Sequence, residues 1–209
     1  MNGKLIVLFG IDGSGKTTIN NMLANCNLNN TVCTSCMINP VFENELYIAE
    51  NELHFRKEDY FSREFKHLLH IGSVVFDMFN RIIPIQKNGS NVILDRYDMC
   101  IKQYAELFLD TPYHCISNIL ECLPTPNLGV YFDSDVHIAF ERVKKRSMET
   151  GLPIHYSESL ESLILKKSGY EEMMKGLSYK VVRIDANQEV DQVLLSVLNK
   201  LTPKLEEFD

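Results

Sequence analysis

Phe9-Gly10-Ile11-Asp12-Gly13-Ser14-Gly15-Lys16-Thr17-Thr18 is the stretch from which the rest of the chain can be read. From Gly10 to Thr17 it matches the phosphate-binding pattern G-x-x-x-x-G-K-[ST] at every fixed position. The run before it, Lys4-Leu5-Ile6-Val7-Leu8-Phe9, is short, apolar and rich in β-formers, and reads as a buried strand. Thr18 to Ala24 can begin a helix, and this strand–loop–helix setting is what the pattern requires. Glycines let the backbone wrap a phosphate with successive N–H groups pointing inward, and the helix N-terminus adds partial positive charge. Gly10, Ile11, Asp12, Gly13, Ser14, Gly15, Lys16, Thr17 and Thr18 are therefore the expected triphosphate-binding residues. Lys16 would reach the β- and γ-phosphates, and the Thr17 hydroxyl would ligate Mg²⁺.

Outward from the loop, short apolar runs alternate with helix-period segments. Further strands are expected at 31–38, 91–95, 128–133 and 180–185. A long helix is expected from Tyr60, with Phe61, Phe65, Leu68, Val75, Phe79 and Ile82 on its apolar face. Pro84 should kink it or mark a short break, and Asn88-Gly89 should stop it. Residues 41–59 read as a loop with one short helix. The next helix carries Ile101, Tyr104, Ala105 and Phe108, and Thr111-Pro112 starts another. Later helices fall at about 135–147, at 157–175 with Leu160, Leu163, Ile164 and Met174 as core, and around Val190 to Leu198. The alternation implies a parallel sheet covered by helices on both faces, a three-layer α/β sandwich. Ligands of such sheets gather at the carboxyl ends of the strands, where Gly10, Asp95, Asp133 and Asp185 fall.

A chain of 209 residues with 45% hydrophobic content suits one domain spanning 1–209. A net charge of −7 argues against a broad nucleic-acid surface. No signal peptide or membrane-spanning run stands out, so no membrane partner is expected. Six cysteines include one C-x-x-C, Cys33 to Cys36, with no second pair at zinc-finger spacing, and they read as buried or idle thiols. A cytoplasmic location follows by elimination.

Three features beyond the loop bear on phosphoryl transfer, which needs in-line substrates and neutralised oxygens. Asp12 puts a carboxylate inside the loop, where it would repel phosphate unless it faces Mg²⁺ or an acceptor hydroxyl. Asp95-Arg96 at a strand end offers a carboxylate for the metal and a guanidinium that forks onto phosphate. Arg142 and Arg146 lie four apart beside a Gly/Pro-bearing loop, and together they suit a lid at about 142–158. Lys16, Asp12, Asp95, Arg142 and Arg146 are the expected catalytic residues, with Thr17 and Asp95 for the metal.

In this order, the loop, Asp95-Arg96-Tyr97, Glu141-Arg142 to Arg146, and Ile184-Asp185-Ala186-Asn187 resemble the motifs of the thymidylate kinase family, from about residue 3 to 200. The resemblance implies a P-loop NTPase fold with a five-stranded parallel sheet, an ATP donor with Mg²⁺, and often a homodimer. It implies that Asp12 sits near the acceptor sugar, that Arg96 grips the acceptor phosphate, and that Ala186 and Asn187 pack against adenine. Tyr97, Tyr104 and His70 complete the expected acceptor side, with Arg63 nearby.

The departures fall on the acceptor half. Phe9 stands where the family has Glu, Asn39-Pro40-Val41-Phe42-Glu43 replaces Arg-Glu-Pro-Gly-Gly, and Ala105 replaces a glutamine. Leu69 to Val75 contains neither the phenylalanine nor the arginine expected there. The leading expectation is transfer of the ATP γ-phosphate to a nucleoside monophosphate, dTMP or a relative. A kinase for a nucleoside, modified nucleotide or specialised small metabolite is the alternative, and a nucleotide-binding switch or non-catalytic partner is a third. A switch would need a guanine-specific Asn-Lys-x-Asp, which the chain lacks.

Overall fold

The computed structural model describes residues 2–26, 28–36, 61–109 and 114–206. Five runs pair as one sheet: β1 (Leu5–Phe9), β2 (Thr31–Ser35), β3 (Asn91–Asp95), β4 (Leu128–Asp133) and β5 (Lys180–Asp185). Their order is β2-β3-β1-β4-β5, and every neighbouring pair is parallel. β1 and β3 are buried at all their positions, as strands covered on both faces must be. Period-two alternation sends Leu5, Val7 and Phe9 into one core and Ile6 and Leu8 into the other. The three expected layers follow from that alternation.

The helices are α1 (Lys16–Ala24), α2 (Arg63–Asp77), α3 (Ile83–Lys87), α4 (Asp98–Phe108), α5 (His114–Glu121), α6 (Val136–Thr150), α7 (Leu160–Met174) and α8 (Val190–Glu206). Ile71, Val74 and Met78 join the first core, while Ile19, Leu23, Val193, Val197 and Leu201 join the second. β1 lies at the centre, and Leu8 pairs with Asp95 while Phe9 pairs with Tyr131. The ends are stepped: β3 stops at the level of Leu8, and β4 runs two residues past the level of Phe9 to Asp133. Asp133 pairs with Asp185 in turn, so the expected row of carboxyl ends is present.

Several boundaries and faces differ from expectation. β2 stops at Ser35, and both the loop expected at 41–59 and the Thr111-Pro112 start lie outside the described residues. Ser62 caps α2 by accepting from the Phe65 amide, but the buried face of this helix runs through His67, Ile71, Val74, Met78 and Ile82. Phe65, Leu68 and Phe79, expected in the core, are 42%, 47% and 55% exposed. The segment is apolar on more than one side, so three-and-four spacing alone selects no single face.

Met78–Ile82 widens into a π turn, and Pro84 then falls in the first turn of α3, where no N–H donor is needed. The helical run therefore carries through to Lys87 and stops at Gly89, whose φ is 88°. Arg63–Lys87 is the one helical run among the described residues long and apolar enough to cross a bilayer, with mean hydropathy 1.3. Here it instead lays one face on the sheet. α6 continues to Thr150 and is capped by Gly151 (φ 71°), so 148–150 are helical rather than loop. In α7, Leu163 is core as expected, but Ile164 is 48% exposed and Lys166 is buried.

Candidate active site

The phosphate loop leaves β1 at Gly10 and turns through three glycines with positive φ before α1 begins. At Gly13 (φ 78°) a Cβ would stand 2.2 Å from the Ala139 carbonyl oxygen of α6, so only glycine fits. α1 starts from Gly15 with no side-chain cap and no acid in its first turn, leaving its first amides for an anion. Lys16 folds back over this loop. Its Nζ donates to the Ile11 carbonyl (2.7 Å) and the Ser14 hydroxyl (3.1 Å), where phosphate oxygens would otherwise accept. Burial, and the Arg96 guanidinium next, push the Lys16 ammonium down to about 8.

Arg96 follows β3 in a left-handed conformation (φ 70°), its amide donating to the Leu8 carbonyl at 3.1 Å. That geometry turns its side chain towards the loop, where Nη2 meets Asp12 Oδ1 at 2.6 Å. Lys166 Nζ from α7 meets Asp12 Oδ2 at 2.6 Å. Burial alone would raise the Asp12 carboxyl, but Arg96, Lys166 and Lys16 outweigh it and hold it well below the usual carboxylate range. Thr17 donates its hydroxyl to Asp95 Oδ2 at 2.5 Å, and Asp95 Oδ1 is buried with no hydrogen-bond partner among the described residues. A hydroxyl beside an orphaned carboxylate oxygen fits a hard cation such as Mg²⁺.

A cavity opens on each side of this cluster. One, of about 320 Å³, is lined by Ser14, Gly15, Thr18, Arg142, Ala186, Gln188 and Val193. Arg142 Nη1 donates to the Ala186 carbonyl (2.9 Å) and the Gly13 carbonyl (3.4 Å), which places it on this side. Asn187 is turned away: its Oδ1 accepts from the Asp135 amide and its Nδ2 donates to Asp185. Arg146 reaches Glu158 at 2.7 Å, bracing the two flanks of the loop after Gly151. The structure thus separates the two arginines that the spacing had placed together.

The other cavity, of about 600 Å³, is lined by Arg96, Tyr97, Tyr104 and His70, as expected, and by Arg63, Lys66, His67, Cys100, His155 and Tyr156. Rings stack along its wall. His67 lies 4.9 Å from Tyr104 at 18° and 6.0 Å from His70 at 10°. Tyr104 and Tyr156 share a hydrogen bond through their hydroxyls, and the Arg63 guanidinium sits 4.6 Å over the Tyr156 ring. Burial first pushes both imidazoles down to about 4, aided for His67 by the repulsion a protonated His70 would add and for His70 by the Arg96 guanidinium. Among the described residues His67 Nε2 has no hydrogen-bond partner, and Cys33 and Cys36 are free thiols.

Lys66, His67, His155, Tyr156 and Lys166 escaped the reading of the sequence. His155 and Tyr156 fall within the segment expected as a lid, and no local pattern around Lys66, His67 or Lys166 marks an inward-facing side chain.

A triphosphate loop between two cavities, its buried carboxylate paired to an arginine that lines the larger one, is the apparatus of a nucleotide kinase. The chain belongs to the thymidylate kinase family, whose model matches residues 9–197 and which uses ATP as phosphate donor. It is 27% identical over 197 residues to a probable thymidylate kinase from Staphylothermus marinus, covering 94% of this chain and 93% of that one. It is 25% identical over 198 residues to a thymidylate kinase from Clostridium novyi, covering 93% and 96%. The crystal structure of thymidylate kinase from Ehrlichia chaffeensis superposes with a TM-score of 0.65 over 96% of this chain and 100% of that one. At 20% identity, that last likeness speaks for the fold.

Proposed function

We propose that this protein transfers the γ-phosphate of ATP to a nucleoside monophosphate, dTMP before others. The observation that carries the reading is the Asp12–Arg96 pair, which joins the phosphate loop to the larger cavity at 2.6 Å. ATP would lie with its phosphates in the loop and its adenine by Ala186, on the Arg142 side. The acceptor would lie opposite, its phosphate against Arg96 and its base along the wall of His67, His70 and Tyr104. An acceptor phosphate oxygen then attacks the γ-phosphorus in line, and the γ–β bridging oxygen leaves with ADP. Lys16 leaves its contacts with Ile11 and Ser14 to neutralise the β- and γ-oxygens. Mg²⁺, when bound beside Thr17 and Asp95, supplies further neutralisation of those oxygens. Asp12 orients the acceptor while Arg96 holds its charge. Arg146 belongs to a lid running from about 142 to 158 that excludes water when it closes.

Phe65, Leu68, Phe76 and Phe79 leave an exposed apolar stripe along α2 and the π turn, which supports a homodimer built on that face. A cytoplasmic setting agrees with free cysteines and a nucleotide substrate.

The test is ATP consumption with a panel of nucleoside monophosphates, nucleosides and no acceptor, beside Lys16→Ala. The expected result is turnover with dTMP exceeding that with the other acceptors, and loss of at least about 100-fold in the variant. Turnover only with unphosphorylated acceptors would refute the reading.

A further inference from the structure

Among the described residues, Asp12 has two cations where one would neutralise it. Lys166 is the unexpected member. It is 7% exposed, and its ammonium lies 2.6 Å from Asp12 Oδ2, on the oxygen that Arg96 leaves open. Burying a lysine stem and head is costly unless the head is paired, so this position is specified by the fold.

The specification is visible in the packing of α4 on α7. Gln103, 1% exposed, donates its side-chain amide to the carbonyl oxygen of Lys166 in mid-helix. Gly169, nearly one turn later, allows that approach: a Cβ there would stand 3.2 Å from Gln103 Nε2. The Nζ stands 5.6 Å from the centre of the Phe108 ring, which shields it from water. Arg142 and Arg146 are engaged elsewhere, at Ala186 and Glu158. Arg96 and Lys166 are thus the two cations that ion-pair with Asp12.

We propose that Lys166 is a positioning residue for phosphoryl transfer, acting through Asp12. It holds the second carboxylate oxygen, so that Asp12 stays ionised and aimed at the acceptor while Arg96 remains free to turn to phosphate. Two cations on one carboxylate leave the cluster with a net single positive charge, against which an anionic acceptor docks. Lys166 thereby adds positive charge from α7 behind Arg96, which lines the cavity, the α2 stretch from Leu69 to Val75 having no arginine. The inference rests on the larger cavity being the acceptor side.

The experiment is a kinetic double-mutant cycle with Asp12→Asn, Lys166→Met and the double variant, with Lys166→Arg beside them. Acceptor and ATP constants are measured on whichever acceptor the parent enzyme turns over. Lys166→Met should lower kcat/KM for the acceptor by about 30-fold with ATP KM within about twofold of the parent. The double variant should fall within about threefold of Asp12→Asn alone, because a residue acting through Asp12 has nothing to act on once that charge is gone. Lys166→Arg, which keeps the charge but in a bulkier planar head, should lie between parent and Lys166→Met.

Multiplying losses in the double variant overturn the proposal, as does an ATP KM that rises with that of the acceptor. If Lys166→Met fails to fold, Lys166→Gln decides: an unchanged acceptor KM overturns the proposal, and a rise of about threefold or more at constant ATP KM sustains it. A parent that phosphorylates only unphosphorylated acceptors sinks the functional reading instead. The cycle run on such an acceptor still decides whether Lys166 works through Asp12.

Discussion

Lowering the pH from 7.5 to 5 should destabilise this protein through two rings of the larger cavity. His67 and His70 are held neutral in the folded chain, pushed down to about 4 from an ordinary 6.5. A folded-state value below the unfolded one means the unfolded chain binds more protons throughout the window between about 4 and 6.5. Stability is therefore complete above the upper bound, falls as pH drops through the window, and levels off below it. At about 1.36 kcal/mol per pH unit, the fall from 6.5 to 5 amounts to about 2 kcal/mol for each ring. Together these are a large share of a typical net stability of roughly 5–15 kcal/mol. The Asp12 carboxylate is silent in this window, since its unfolded form begins to protonate only near 4.

The assay is urea unfolding at pH 7.5 and 5, on the parent and on His67→Phe/His70→Phe, which keeps ring stacking and removes both titrations. The parent midpoint should fall by about 1–2 M, given slopes of roughly 2–3 kcal/mol/M, and the double variant should lose less than half as much. Comparison at each pH cancels other groups, including His155, which burial also pushes down. A double variant with the full parental fall would refute the reasoning, whatever its absolute stability.

Arg142→Ala should raise the ATP KM by about tenfold and leave the acceptor KM within twofold, because its guanidinium lies at the Ala186 side of the loop. Equal effects on both substrates would place it nearer the transferred phosphate. If the exposed stripe of α2 and the π turn is covered by a second copy, light scattering should give twice the 24.1 kDa chain mass, and Phe79→Ser should shift it to one chain. A parent that runs as a single chain at about 100 μM removes the stripe as a dimer face.

What could be read directly from the chain was local. The phosphate loop is nine consecutive residues, so its chemistry needs no folding to be seen. β3 and β4 were legible because strands buried on both sides are short apolar runs with clear ends. The larger cavity was not legible in the same way. It draws on α2, β3, α4 and the segment at His155-Tyr156, and long-range packing rather than spacing decides which side chain of each faces inward. On α2, an apolar stripe on a second side outweighed the true inner face, and a buried histidine marks that face better than any phenylalanine does. Lys166 sits in Ile164-Leu165-Lys166-Lys167, where nothing distinguishes the buried lysine from its neighbour until Gln103 and Gly169 are seen against it. Arg142 and Arg146 share a helix face by spacing, but the carbonyls of Gly13 and Ala186 draw one of them to the nucleotide side.

The close approach of Gly13 to Ala139 also makes α6 a lever. Near one end the rod rests on the backbone of the phosphate loop, and its other end is Gly151, from which the chain runs on to His155 and Tyr156. From Ala139 to Gly151 the arm is about 18 Å at 1.5 Å per residue, so a tilt of about 10° at the fulcrum moves the far end by about 3 Å. Any displacement of that helix about Ala139 would carry the chain at Gly151 with it, so the phosphate loop and the segment after Gly151 are joined through one helix.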